Sequence, residues 1–373
     1  MGGVLASLSR NDTGRRDPAT VRLMVVDDST VARAVLSRMI ESDPQFRVVA
    51  DAPTAEDAIA QLATVDTDIV LLDLEMPGEG GLKLLPDILK ASRGAQVLVC
   101  SSLAEEGAQA TISALAMGAS DTIPKPGTGR FGGTFSAVLL GKLRALAKSG
   151  AVPKSATPVP PAPPPLLDAR LRDDHLGPID LLLVGASTGG IHALGQFLRA
   201  LPPRIGVPIC VTQHLPAAFM PVFARQLTQF ANRPTHVAED GHPLLADRIY
   251  IAPGINHLEI KATTQGLMAR LTEGKSPSGC LPSVDPMFAS AAEAVGQRAC
   301  GVVLTGMGRD GTAGAQRLVA CGSVVMAQDE ASSAVWGMPR SLFEAGLACR
   351  LAPPAELANF VAKRLTHTNE GAA

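Results

Sequence analysis

Seven prolines fall within the thirteen residues from Pro153 to Pro165, interleaved with Ala, Val, Ser and Thr, and no helix or strand tolerates that density. Proline-rich chain is extended, at roughly 3.1 Å per residue, and moderately stiff. This stretch therefore divides the 373 residues into two halves that are tethered yet separable. The expected boundaries are a disordered leader over 1–20, a first domain over 21–147, the linker over 148–177, a second domain over 178–368 and a polar tail over 369–373. Two domains is also what a soft prior of about 150 residues per domain suggests.

The apolar share of 46% and charged share of 18% suit a globular protein, and no apolar run is long enough to span a bilayer. Six cysteines are scattered without any C-x-x-C pair, and the N-terminus lacks the apolar core of a signal peptide. A reducing, cytoplasmic setting without direct membrane insertion is expected. A formal charge of -2 and an aromatic share of 3% leave neither a basic patch nor stacking platforms, so nucleic acid is not an expected partner.

In the first half, apolar runs alternate with helical stripes. Val21 to Val26, Phe46 to Ala50, Asp68 to Leu72, Gln96 to Cys100 and Asp121 to Ile123 read as strands, and Val31, Val35, Leu36, Met39 and Ile40 recur at helical spacing after the first. The alternation predicts a doubly wound domain around a five-stranded parallel sheet. Ligands of such sheets sit at the carboxyl ends of the strands. Those ends carry Asp27 and Asp28, Asp73, Ser101, and Lys125 just beyond the fifth strand. A single acid there is commonplace. Three carboxylates converging with one lysine call for a counter-charge, and hard oxygen ligands suit Mg2+, which would let a phosphoryl group approach an aspartate nucleophile.

Asp27-Asp28, the run from Leu71 to Gly81, Ser101 and Lys125-Pro126 resemble the flavodoxin-like receiver domain of bacterial two-component response regulators over about 125 residues. The resemblance implies that Asp73 accepts phosphate from a histidine kinase. It further implies that Asp27, Asp28 and Asp73 hold Mg2+, and that Ser101 and Lys125 contact the phosphoryl group. Receivers often carry an aromatic residue where this chain has Thr122.

The second half opens with Leu181 to Val184, an apolar run that meets Gly185-Ala-Ser187-Thr-Gly189, after which Ile191, Leu194 and Leu198 recur at helical spacing. Strand, sharp turn and helix in that order can seat a nucleophilic serine at a helix N-terminus, although G-x-S-x-G alone is a weak pattern. A dinucleotide-binding loop is the competing reading. It is disfavoured because Ser187 stands where that fingerprint wants its second glycine, and because the next run, Val207 to Thr212, ends in Gln213-His214 instead of a ribose-binding acid. Strands are further expected over Pro234 to Ala238, Arg248 to Ala252 and Cys300 to Leu304. Helices are expected over Ala218 to Phe230 and Pro286 to Gly296, and a β-hairpin over Leu258 to Lys261 with Leu267 to Leu271. The expected fold is a Rossmann-like parallel sheet with a hairpin. Its strand ends deliver Ser187, His214 and Asp310, a nucleophile, a base and an acid to orient the base. His257, read as lying in a loop after a strand, is the rival base.

Together with Ala238-Glu-Asp-Gly241, Ile251-Ala-Pro-Gly254, Pro282-Ser-Val-Asp285 and Thr305-Gly-Met-Gly-Arg-Asp-Gly311, these residues resemble the catalytic domain of the chemotaxis protein-glutamate methylesterases and glutamine deamidases. A receiver fused in front is that family's architecture. The resemblance implies Ser187, His214 and Asp310 as a Ser-His-Asp triad, with the Met307 amide as a candidate oxyanion donor and no cofactor in this domain. It implies a phosphorylation-controlled hydrolase that demethylates glutamate methyl esters on the cytoplasmic helices of chemoreceptors, releasing methanol, and deamidates receptor glutamines. The receiver is expected to pack beside the active rim. A receptor-binding adaptor without turnover is the alternative, which an intact triad disfavours.

Overall fold

A computed structural model describes residues 20–102, 105–125, 133–150 and 178–366. The expected tail, the leader before residue 20 and the linker beyond residue 150 lie outside the described residues. The first half runs β1 (Val21–Val26), α1 (Thr30–Glu41), β2 (Phe46–Ala52), α2 (Ala55–Leu62), β3 (Ile69–Asp73), α3 (Gly80–Ala91), β4 (Gln96–Ser101), α4 (Glu105–Met117), β5 (Asp121–Pro124) and α5 (Gly133–Gly150). The last helix reaches three residues into the span expected to be linker.

Helix starts follow local chemistry. The side chains of Ser29 and Thr54 accept hydrogen bonds from the amides of Ala32 and Asp57, capping α1 and α2. All five residues of β3 are buried, as a strand covered on both faces requires. The sheet is parallel in the order β2-β1-β3-β4-β5. Chain direction across the sheet reverses between β1 and β3, and the crevice at that reversal lies at the ends that carry Asp27, Asp28 and Asp73.

The second half runs β6 (Leu181–Ala186), α6 (Gly190–Ala200), β7 (Ile209–Gln213), α7 (Met220–Ala231), β8 (Thr235–Val237), β9 (Ile249–Ile251), β10 (His257–Thr263) and β11 (Gly266–Thr272). It continues through α8 (Val284–Val295), β12 (Ala299–Val303), α9 (Thr312–Ala320), β13 (Val324–Gln328), α10 (Met338–Glu344), β14 (Arg350–Ala352) and α11 (Pro354–Thr366). Seven strands form a parallel sheet in the order β14-β13-β12-β6-β7-β9-β8, and β10 pairs antiparallel with β11 as the separate hairpin. Here the reversal falls between β6 and β12.

Three features depart from the sequence reading. Helix α8 starts two residues earlier than expected, because the Ser283 side chain accepts from the Asp285 amide and caps it there. His257 is no loop residue; it opens β10 and is buried. The sequence reading names no elements from β13 to α11, although Val324–Gln328 is buried at every position and pairs with β12. The two halves also touch. Helix α4 lies against α6 and α7, and one apolar cluster takes in Ile112 and Leu115 of α4 together with Ile191, Phe219 and Met220.

Candidate active site

The two glycines that bracket Ser187 have different physical reasons. Gly185 is a strand residue, and a Cβ on it would lie 2.6 and 2.7 Å from the methyls of Val284, so it lets α8 approach β6 closely. Gly189 holds φ at 76°, the left-handed region, where the chain turns into α6. Between them the backbone of Ser187 is tied to both neighbouring strands. Its amide donates to the Thr305 carbonyl at 3.0 Å, and its carbonyl accepts from Gln213 Nε2 at 2.9 Å. The side chain remains half-buried.

Register then decides what stands beside the serine. Ala186 pairs with Gln213 across β6 and β7, so Ser187 and His214 leave adjacent strands side by side. The turn after β12, on the other flank of β6, supplies Asp310. His214 Nε2 donates to Asp310 Oδ2 at 2.8 Å. That bond keeps a hydrogen on Nε2, pointed at the acid, and leaves Nδ1 as the nitrogen to act as base.

Asp310 is 1% exposed and accepts from four donors: His214, Ser278 Oγ at 2.8 Å, Ser283 Oγ at 2.6 Å and the Val284 amide at 2.7 Å. Burial works against its charge, but His214, the Ser283 hydroxyl and the Val284 amide outweigh it and hold the carboxyl at about 2. Burial also opposes charge on the His214 ring. Asp310 and the adjoining Cys280 thiol prevail there and hold the ring at about 9. Asp285 lies close by. Burial raises its carboxyl to about 6, against the pull of the Gly314 amide.

Sequence reasoning gave no role to Ser278 or Cys280, and Ser283 entered only as part of the Pro282-Ser-Val-Asp285 motif. The serines of Ser276-Pro-Ser-Gly-Cys280 gave no signal beyond a polar loop. His257, the rival base, is engaged elsewhere: its Nε2 donates to the Gly274 carbonyl at 3.2 Å and its Nδ1 accepts from the Ser283 amide at 3.0 Å. It buttresses the serine that holds Asp310. Met307 is exposed in the turn after β12, and among the described residues its amide donates no internal hydrogen bond.

At the other crevice, oxygens of Asp27, Asp28 and Asp73 lie within 4.8 Å of one another. Lys125 Nζ donates to Asp73 Oδ2 at 2.6 Å. Burial raises the Asp73 carboxyl above its ordinary value, although Lys125 and the Glu75 amide pull the other way. Burial raises Asp27 likewise, against the Ser29 amide and with repulsion from Asp73 adding to it. Clustered hard oxygens with too little positive charge fit Mg2+. The Ser101 hydroxyl, expected to face a phosphoryl group, is instead paired with Thr111 Oγ1 on α4. Thr122 is buried one residue after Asp121.

These two regions meet at a seam. The Gly189 amide donates to the Ser120 carbonyl at 2.6 Å, Thr188 Oγ1 to Asp121 Oδ2 at 2.6 Å and His192 Nδ1 to the Ala116 carbonyl at 3.0 Å. Two of these bonds engage the residues immediately after Ser187. A cavity of about 60 Å³ persists there, walled by Gly118 and Ser120 on one side and by Gly189, His192, Gln196 and Thr305 on the other.

Comparison with known families and proteins agrees with this layout. A family model described as response regulator receiver domain matches residues 23–130, and one described as CheB methylesterase matches residues 182–361. A protein-glutamate methylesterase/protein-glutamine glutaminase of Paramagnetospirillum magneticum is 38% identical over 371 residues, covering 93% of this chain and 97% of the relative. One of Caulobacter vibrioides is 40% identical over 349 residues, covering 92% and 99%. The solved CheB methylesterase catalytic domain of Thermotoga maritima is 33% identical, covers 50% of this chain and 98% of that one, and gives a TM-score of 0.48.

Proposed function

Since the chain belongs to the protein-glutamate methylesterase/protein-glutamine glutaminase family, with receiver and CheB methylesterase domains, we infer that Ser187, His214 and Asp310 are its catalytic triad and that phosphorylation of Asp73 controls access to it. The observation that carries the first part is the saturated Asp310: four donors fix the carboxylate, which in turn fixes the His214 ring with Nδ1 left to act as base, one strand from the serine.

In this reading Ser187 Oγ attacks the methyl ester of a glutamate side chain on a chemoreceptor helix while His214 Nδ1 takes the serine proton. The imidazolium forms beside Asp310, whose negative charge stabilises it. The amide of Met307 donates to the oxyanion of the tetrahedral intermediate. His214 returns the proton to the leaving oxygen, methanol departs, and water activated by the same nitrogen hydrolyses the acyl-enzyme to free glutamate. A glutamine side chain follows the same course with ammonia as the leaving group. Asp310 takes no proton at any step.

Control rests on the seam. The Ser120 carbonyl on the Gly189 amide and Asp121 on Thr188 hold the first domain against the two residues after Ser187, and in this reading that contact stands in the way of a receptor helix. Asp27, Asp28 and Asp73 would hold Mg2+, which when bound neutralises the crevice so that a phosphoryl group from the histidine kinase can reach Asp73. A phosphoryl group there competes with Thr111 for the Ser101 hydroxyl. Thr111 lies on α4, the helix whose Ala116 carbonyl binds His192, so a change at Ser101 biases the seam by a short route that needs no aromatic at position 122.

The test is methanol release from methylated receptor cytoplasmic fragments, with and without a small phosphodonor. Ser187→Ala is expected to lose about 10^4-fold or more in turnover with the fold intact. Turnover of the alanine protein at a few percent of wild type or above would reject the assignment.

A further inference from the structure

Beside the His214–Asp310 pair lies a third potential ligand, which exchanges no proton and forms no bond in the hydrolysis set out above. Cys280 is half-buried, and its Sγ, a ring nitrogen of His214 and a carboxylate oxygen of Asp310 all lie within 4.8 Å of one another. The loop that carries it is stitched in place: Ser276 Oγ donates to the Cys280 carbonyl at 3.0 Å, and the Cys280 amide donates to Ser278 Oγ at 3.3 Å. Ser278 also binds Asp310, so the sulfur and the carboxylate are positioned by one serine.

From this cluster we propose a reversible inhibitory site for a thiophilic divalent cation, Zn2+ in the first instance, formed by His214 Nε2, Cys280 Sγ and Asp310 Oδ2.

The donor set selects the metal. One sulfur, one imidazole and one carboxylate oxygen are the ligand types of a three-coordinate protein zinc site with a fourth position for water, whereas Mg2+ and Ca2+ want oxygens alone. The geometry requires little movement. Ligands about 2.0–2.1 Å from a tetrahedral zinc stand about 3.3 Å apart, so the 2.8 Å Nε2–Oδ2 contact needs to open by roughly half an ångström. Ser278 and Ser283 already hold the other oxygen of Asp310, orienting the ligand from behind. Access exists because 18% of the His214 side chain is exposed.

Binding releases two protons to solvent, the thiol proton of Cys280 and the Nε2 proton of the protonated His214 ring, and takes the Nε2 lone pair so freed. The ring's one remaining hydrogen then sits on Nδ1, which can no longer accept the serine proton. The inhibitory consequence rests on the triad reading above; the metal site itself does not.

Co2+ titration of the full chain in excess Mg2+ separates the two. A thiolate-to-cobalt charge-transfer band saturating at one equivalent, absent from Cys280→Ala and displaced by Zn2+, is expected. Methanol release by wild type should fall at micromolar Zn2+ and return with a chelator. Measured against its own metal-free rate, Cys280→Ala should need at least about tenfold more Zn2+ for the same inhibition. Absence of the band, its persistence in Cys280→Ala, or equal zinc sensitivity of the two proteins overturns the proposal. A band lost in Cys280→Ala from a protein that never releases methanol would uphold the metal site and strike only at the esterase reading.

Discussion

Removing one carboxylate at the seam should switch the enzyme partly on without phosphate. Asp121 Oδ2 accepts from Thr188 Oγ1 at 2.6 Å and from Lys142 Nζ at 2.7 Å. Asp121→Ala deletes both. The lysine side chain is already 23% exposed and rehydrates, so its loss affects the covered and uncovered arrangements about equally. The Thr188 bond exists only when the domains are together, and a hydrogen bond to a charged group is worth about 1.5–3 kcal/mol. The equilibrium should shift toward the uncovered state by about 10- to 150-fold. The Ser120 and Ala116 contacts and the apolar packing of α4 against α6 remain, so the shift has a limit. Initial rates of methanol release from methylated receptor fragments, without phosphodonor, should rise toward those of phosphodonor-treated wild type. Phosphodonor should then add little to the variant. An Asp121→Ala rate indistinguishable from untreated wild type, in a protein whose Asp73 still accepts phosphate, would refute the argument that this contact restrains the active site.

Further outcomes follow from the same contacts. His257→Ala should slow turnover less than His214→Ala, because His257 reaches Asp310 only through Ser283; equal losses with matching circular dichroism would mean that the two histidines share the base role. With the His214 ring held at about 9, it carries a proton below that pH, so kcat/KM should climb as pH rises through neutral toward 9. Asp310→Asn should move that inflection down, and a profile flat from pH 6.5 to 8.5 would contradict the pairing. Gly185→Ala places a methyl against Val284 and should destabilise the second domain by about 1–3 kcal/mol in denaturant titrations, with Val284→Ala restoring part of the loss.

Much of this molecule could be read from residue order alone. Buried parallel strands must be continuous apolar runs, and a run that stops at a reactive residue announces both the strand and the end of the sheet where chemistry sits. That is why Val21–Val26 leading to Asp27 and Leu181–Ala186 leading to Ser187 were legible, and why Ser187, His214 and Asp310 could be grouped across more than a hundred residues. The late elements were harder. Arg350–Ala352 is three residues long, and its pairing with β13, not its own pattern, makes it a strand.

Only the tertiary structure could decide what depends on which loops meet. Ser278, Cys280 and Ser283 are ordinary residues in a polar loop until the capped start of α8 brings them onto Asp310. His257 and His214 both follow or open strands, but one is closed off by the Gly274 carbonyl and the Ser283 amide while the other leaves the strand that neighbours the serine's. Ser101 has the right position in sequence and its hydroxyl on Thr111. The seam joins Ser120 and Asp121 to Gly189 and Thr188 across the proline-rich stretch, and no local pattern encodes such a contact. Periodicity reports which face of an element is buried; the partner that buries it is selected by the packing of the whole chain.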